Sequence, residues 1–223
     1  MTIDLSKRLT AEFIGTAMLL ATVVGSGIMA ERLAGGNVAI ALLANTVATG
    51  SALFALILSF GQISGAHFNP VVTVCETIKG SLKIYEAAGY LAAQFTGAIA
   101  GVAAANVMFD LPVLFASTKI RTGGSQWFSE FVATFGLLAV IMAVSRIESK
   151  LAIPAAVAAY ITAAYWFTAS TSFANPAVTV ARSLSDTFAG IRPIDAPGFI
   201  VAQIAGALAA YFIFRWLLAE KSQ

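Results

Sequence analysis

Long apolar runs alternate with short polar breaks along this chain. Six runs, at about 9–30, 38–60, 84–108, 128–146, 151–169 and 197–219, approach or exceed the ~20 mainly apolar residues that a helix needs to cross a bilayer. The first run lacks a small-residue cleavage site after a short apolar core, so it reads as a permanent span and not as a removable signal. The pattern predicts six transmembrane helices.

The chain also repeats itself. AEFIGTAMLL (11–20) returns as SEFVATFGLL (129–138), SGAHFNPVVTV (64–74) as STSFANPAVTV (170–180), and AAQFTGAIAG (92–101) as VAQIAGALAA (201–210). The echoes keep their order, so each half holds three spans and one short phrase, over about 1–110 and 125–223. Three spans is an odd number, and the second half must therefore enter the membrane from the opposite face. The result is an inverted 3+3 repeat with a site expected at the midplane between the halves. Gly97 with Gly101, and Gly206 with Ala210, give each half a small-residue step suited to close helix packing.

The repeated phrase carries Asn69-Pro70 in one half and Asn175-Pro176 in the other. Asparagine is a strong N-cap residue, and proline suits the first helical position, where no backbone donor is required. Each pair thus starts a helix. Each helix has room for only about ten residues, half a span, before Lys79-Gly80 or Asp186. The small, polar residues ahead of each pair predict an extended re-entrant chain, tolerable at membrane depth only if buried in protein or lining a watery cavity. Two half-helices would then meet end to end at the midplane, each N-terminus carrying about half a positive charge. That arrangement is hostile to cations and protons. The asparagine amides can donate to a neutral solute, and the extended carbonyls can accept.

Composition narrows the class. Only 11% of the 223 residues are charged, against roughly 25% in soluble domains, so the surface must face lipid. A net charge of +2 gives no footing for nucleic acid. One cysteine, Cys75, and one histidine, His67, exclude an internal disulfide framework and leave little material for a metal site; no cofactor or metal is expected. Lys7, Arg8, Lys79, Lys83, Arg146, Lys150, Arg215 and Lys221 fall on one side of the predicted membrane, and Arg32, Lys119, Arg121, Arg182 and Arg192 on the other. This bias places both termini in the cytoplasm.

Paired Asn-Pro-Ala-type boxes, here Asn69-Pro70-Val71 and Asn175-Pro176-Ala177, in such a repeat resemble the aquaporin or major intrinsic protein family over nearly the whole chain. The resemblance implies one channel domain over 1–223 and a homotetramer in a bacterial inner (plasma) membrane. It implies a conduit lined by Asn69, Pro70, Asn175, Pro176 and His67, whose backbone carbonyl would face the pore. It also makes Glu12 and Glu130 supports that accept hydrogen bonds from the re-entrant backbones, a role favoured over glutamates snorkelling to the interface, because intramembrane carboxylates normally have a partner.

Family members carry an outer filter of four positions, which spacing puts at Thr49, Ala163, Ser172 and Val178. The usual arginine after the second box is replaced by Val178, and all four residues are small and uncharged, predicting a wide, weakly polar filter without arginine. For Arg182, one turn further on, pairing with Asp186 or solvation is favoured over a pore role. A filter of this kind resembles the AqpS-type bacterial branch associated with arsenic resistance. The resemblance implies a passive, non-enzymatic channel for water, glycerol and small metalloid or organoarsenical solutes. The rival readings are a formate/nitrite-type anion channel, a secondary transporter with broken helices, and an intramembrane protease pairing Ser26 with His67.

Overall fold

The computed structural model describes residues 3–219, and among these every regular element is helical. Lys221, counted above for orientation, lies outside them. Six long helices, α1 (Leu5–Leu33), α2 (Val38–Ser64), α4 (Ile84–Met108), α5 (Gly124–Val144), α6 (Ala152–Phe167) and α8 (Ala196–Leu217), surround two short ones, α3 (Pro70–Lys79) and α7 (Pro176–Arg182). Five of the long helices are long and apolar enough to cross a membrane. The sixth, α6, has 16 residues, or about 24 Å of helix. It is shorter than its apolar run because Thr168 is already extended (φ −109°, ψ 136°) and the chain turns back towards the midplane. Met18, Val47, Phe128, Trp166, Val201, Phe212 and Trp216 are exposed on the outside of the bundle. An apolar surface of this extent calls for lipid.

The repeat governs the packing. In the first half α1 lies along α4 and α2; in the second, α5 lies along α8 and α6, and α2 against α6 joins the halves. The same device closes both long pairs. A Cβ on Gly97 of α4 would collide with the backbone of Phe13 on α1, and a Cβ on Gly206 of α8 with the backbone of Phe131 on α5. Backbone-to-backbone contact of this kind is what small residues permit between membrane helices.

Helix α7 stops after seven residues, short of the ten its sequence allowed. The chain beyond it is claimed by the loop between α4 and α5. Phe115 and Ser117 donate backbone N–H groups to Leu184 and Ser183 (3.0 and 2.9 Å), and Arg192 donates to Lys119 (2.8 Å). These bonds fold two loops together over the end of α7.

The helix contacts make a direct prediction. Gly97→Ala should force α1 and α4 apart and destabilise the protein by about 1–3 kcal/mol, the range for overpacking. Gly61→Ala, whose added methyl meets nothing within 4 Å, should be nearly neutral. Thermal unfolding in detergent compares the two; equal stability would show that the α1–α4 contact is not limiting.

Candidate functional site

Each re-entrant segment ends in an asparagine that binds twice. Asn69 and Asn175 are extended (φ −153° and −161°) and cap the half-helices. Asn69 Oδ1 accepts from Val71 N (3.1 Å), and Asn175 Oδ1 from Ala177 N and Val178 N (3.0 and 3.2 Å). The amide nitrogens reach across the repeat: Asn69 Nδ2 donates to Ala174 O and Asn175 Nδ2 to Phe68 O, both at 2.8 Å. An amide nitrogen has two hydrogens, so each keeps one after this bond.

Glu12 and Glu130 hold the segments from behind. Glu12 accepts from Ser64 Oγ (2.6 Å), His67 N (2.9 Å), Phe68 N (2.7 Å) and Gln94 Nε2 (2.8 Å). Glu130 accepts from Phe173 N (2.9 Å), Ala174 N (2.8 Å) and Gln203 Nε2 (2.6 Å). Both are fully buried, which rules out snorkelling. The backbone presents adjacent N–H groups to each carboxylate by taking positive φ at Ala66 and Phe68, and at Ser172 and Ala174 (all 49°). Such conformations cost about 1–3 kcal/mol each for residues other than glycine and persist only where the surroundings enforce them.

Between the halves runs a cavity of about 320 Å³. Its lining starts at Glu76, Lys79 and Ser145, passes His67, Asn69 and Asn175, and ends at Thr49, Tyr165, Ser172, Val178 and Arg182. The two prolines expected there are absent from the lining. As first helical residues Pro70 and Pro176 are buried, and the wall at their level is made by the asparagines and the extended chain before them. His67 lines the cavity with its ring tied by Nδ1 to Thr73 Oγ1 (3.0 Å).

The outer end differs most from expectation. Ala163 is exposed on the outside of α6. The lining positions of α6 are Ile153, Val157, Ile161 and Tyr165. They follow a stride of four, and a residue two positions off that stride faces the opposite side of a helix. The α6 residue that faces the cavity beside Thr49 is therefore Tyr165, whose hydroxyl donates to Thr49 Oγ1 (3.3 Å). A bulky group is present after all.

Nor is the outer end free of arginine. Arg182, 2% exposed, lines the cavity with its guanidinium carbon 3.4 Å from the centre of the Phe173 ring and its Nε donating to Ala189 O. It does not pair with Asp186, which accepts instead from Thr118 N (2.8 Å), Thr118 Oγ1 and Ser117 Oγ. Arg121 lies 5.1 Å from the same ring and is fixed by Gly190 O and Ser170 O. In the adjoining loop, burial pushes the Lys119 ammonium down to about 8, with Arg121 and Arg182 adding to the effect. The outer end is strongly electropositive. The i, i+4 spacing that suggested an Arg182–Asp186 pair missed this, because α7 ends between the two residues.

Comparison with known proteins agrees with this geometry. The profile of the major intrinsic protein family matches residues 1–158. The chain belongs to that family. It is 55% identical over 96% of its length to "Aquaglyceroporin AqpS" of Rhizobium meliloti, covering 91% of that protein. It is 31% identical over 96% of its length to "Glycerol uptake facilitator protein-like 6" of Lactiplantibacillus plantarum, covering 99% of it. The solved aquaglyceroporin from Plasmodium falciparum shares the fold, with a TM-score of 0.74 at 19% identity over 97% of this chain and 98% of that one. The protein is a multi-pass membrane channel and not an enzyme, and family membership sets aside the anion-channel, transporter and protease readings. The nominal protease pair is also apart: Ser26 Oγ donates to Thr22 O (2.6 Å), while His67 bonds Thr73.

The crossed amides predict the behaviour of Asn175→Asp. The cap survives, since aspartate caps as well as asparagine. The donor to Phe68 O is replaced by an oxygen facing an oxygen, at a cost of about 1–3 kcal/mol for the abandoned buried acceptor. The variant should fold with lowered stability and admit cations into the centre. Parental thermal stability together with parental cation flux in proteoliposomes would contradict it.

Proposed function

We propose that the whole chain forms one passive conduit for water and small uncharged solutes, glycerol among them, and that the cavity between the repeats is its path. The observation that carries this reading is the pair of crossed asparagines. Each is immobilised by its cap and by the opposite carbonyl, and each retains a donor hydrogen at the lining. A neutral solute finds donors from Asn69 and Asn175 and a polar wall at His67, while the flanks (Leu53, Ile57, Val157, Ile161) bind nothing tightly. Fast passage needs this mixture. The half-helix ends add positive potential at the same level, disfavouring cations.

The finer solute range rests on the outer level. At Val178 the wall is short and apolar, and Thr49 and Ser172 beside it are small, so the level admits solutes broader than water despite Tyr165. The likeness to AqpS supports extending the range to small neutral metalloid and methylated arsenical solutes. The reading includes cytoplasmic termini and assembly as a homotetramer, for which the lipid-like outer faces leave ample apolar surface.

Stopped-flow light scattering of proteoliposomes tests it, with water, glycerol, urea and neutral or methylated arsenicals compared. Fluxes above empty liposomes without saturation or counterflow are expected for water and glycerol. Val178→Arg should reduce the larger permeants several-fold more than water; equal fractional loss in folded, inserted protein would sink the role given to Val178.

A further inference from the structure

We propose that Arg182, together with the Ser172 hydroxyl, forms a solute-recognition and cation-excluding site at the outer end of the pore, one helical turn beyond Val178. The proposal rests on the channel reading above and assigns a residue that the expected filter positions leave out.

The repeat locates the site. Arg182 stands seven residues after Asn175, as Glu76 stands seven after Asn69, and both line the cavity. The two ends are treated differently. Glu76 is paired with Lys79 (3.3 Å) at a solvent-accessible mouth. Arg182 is buried and, among the described residues, has no carboxylate within ion-pairing distance. A buried, unpaired charge is expensive and marks a functional position by default.

Its surroundings fix its direction. The Phe173 ring lies against the guanidinium, and Phe173 is itself clamped through its backbone N–H to Glu130. Nε is used by Ala189 O, whereas Nη1 and Nη2 make no hydrogen bond among the described residues. Four donor hydrogens of the fork are thus left for whatever occupies the cavity. Ser172 lines the same cavity, and its Oγ is buried just behind the wall without a hydrogen-bond partner. Buried hydroxyls are normally satisfied, and a turn of the Ser172 side chain about its Cα–Cβ bond brings this one to the cavity wall, where a solute oxygen can satisfy it. Across the lining, Tyr165 and Thr49 are bonded to each other.

This set of groups fits an uncharged solute carrying at least two oxygens, one accepting from the guanidinium fork and one exchanging a hydrogen bond with Ser172. Polyols and neutral hydroxylated or oxo solutes have that chemistry. A cation meets a fixed, buried positive charge and is turned back. Water can use the same donors but gains less from a two-point site.

The test uses full-length protein in proteoliposomes, reading water flux, glycerol flux and proton leak under a potassium diffusion potential. Parental water and glycerol flux tests the channel reading itself; the variants test the site. Arg182→Leu should raise proton leak about tenfold or more, the scale of one hydrogen bond or ion interaction with a charged group, and should lower the glycerol-to-water ratio. Arg182→Lys should keep the leak low while losing the fork, and so lower glycerol flux alone. Ser172→Ala removes a hydroxyl bonded to nothing, leaves the fold intact, and should reduce the glycerol-to-water ratio about two- to tenfold. Arg182→Leu with parental leak and ratio overturns the proposal. If that variant does not fold, an unchanged ratio in Ser172→Ala, or a proton leak in folded Arg182→Lys about tenfold above the parental one, overturns it instead.

Discussion

A backbone polar group at the depth of a bilayer has no water to bond, and this constraint decides what the centre of the molecule can be. Helices satisfy it internally; extended chain cannot. The two re-entrant segments survive because a buried glutamate stands behind each, accepting two adjacent N–H groups from it: His67 and Phe68 in one half, Phe173 and Ala174 in the other. The carbonyls are then left to face the pore or the opposite asparagine. Without the carboxylates, the left-handed conformations at Ala66, Phe68, Ser172 and Ala174 would lose the charged acceptors that offset most of their strain. The two glutamates are therefore prior to the asparagines. They create the carbonyl acceptors that the crossed amides use.

The supporting networks are duplicated with fidelity, and the pore surface is not. Gln94 Nε2 donates to Glu12 and Thr73, and Gln203 Nε2 to Glu130 and Thr179, so each amide ties a glutamate to its half-helix. Even the unused atoms correspond, since Gln94 Oε1 and Thr16 Oγ1 on one side match Gln203 Oε1 and Thr134 Oγ1 on the other in lacking a partner. At the lining, Val72 and Val178 still match. Elsewhere the sides part: His67 faces the place of Phe173, Ala66 that of Ser172, Glu76 that of Arg182. Duplication suits positions that answer to the backbone, whose needs are the same in both halves. It is abandoned where a solute is the partner, because the solute meets the two mouths in turn.

This division also explains what could be read in the sequence. Spans, half-helices and inverted halves were legible because hydropathy and the Asn-Pro pair are local signals with one physical solution in lipid. Glu12 and Glu130 were legible because a carboxylate in an apolar run needs a partner. Ala163 failed because a count back from Asn175 assumes a fixed length for the chain between α6 and the box. The stride Ile153, Val157, Ile161, Tyr165 was the better guide, since helical phase does not depend on the length of the loop beyond the helix. Arg182 failed for a tertiary reason. Its expected partner Asp186 is taken by Thr118 and Ser117, in a loop that is remote in sequence, and no local pattern announces that contact.

The altered position of the arginine changes how charge exclusion and size selection relate. Were one side chain to carry both charge and bulk at the level of Val178, widening the pore would mean losing the charge. Here that position is a valine, with the bulk supplied by Tyr165, while a positive charge sits one turn outward against the Phe173 ring. The guanidinium carbon lies 3.4 Å from the ring centre, and Nε is held by Ala189 O, so the charge is fixed at the cavity wall. The inner mouth, where Glu76 and Lys79 offset each other, adds little net field. The fixed positive charge thus gathers at the outer end and at the facing half-helix termini, where it opposes a cation while still offering a neutral solute hydrogen-bond donors. Width and charge are thus carried by different residues in this chain.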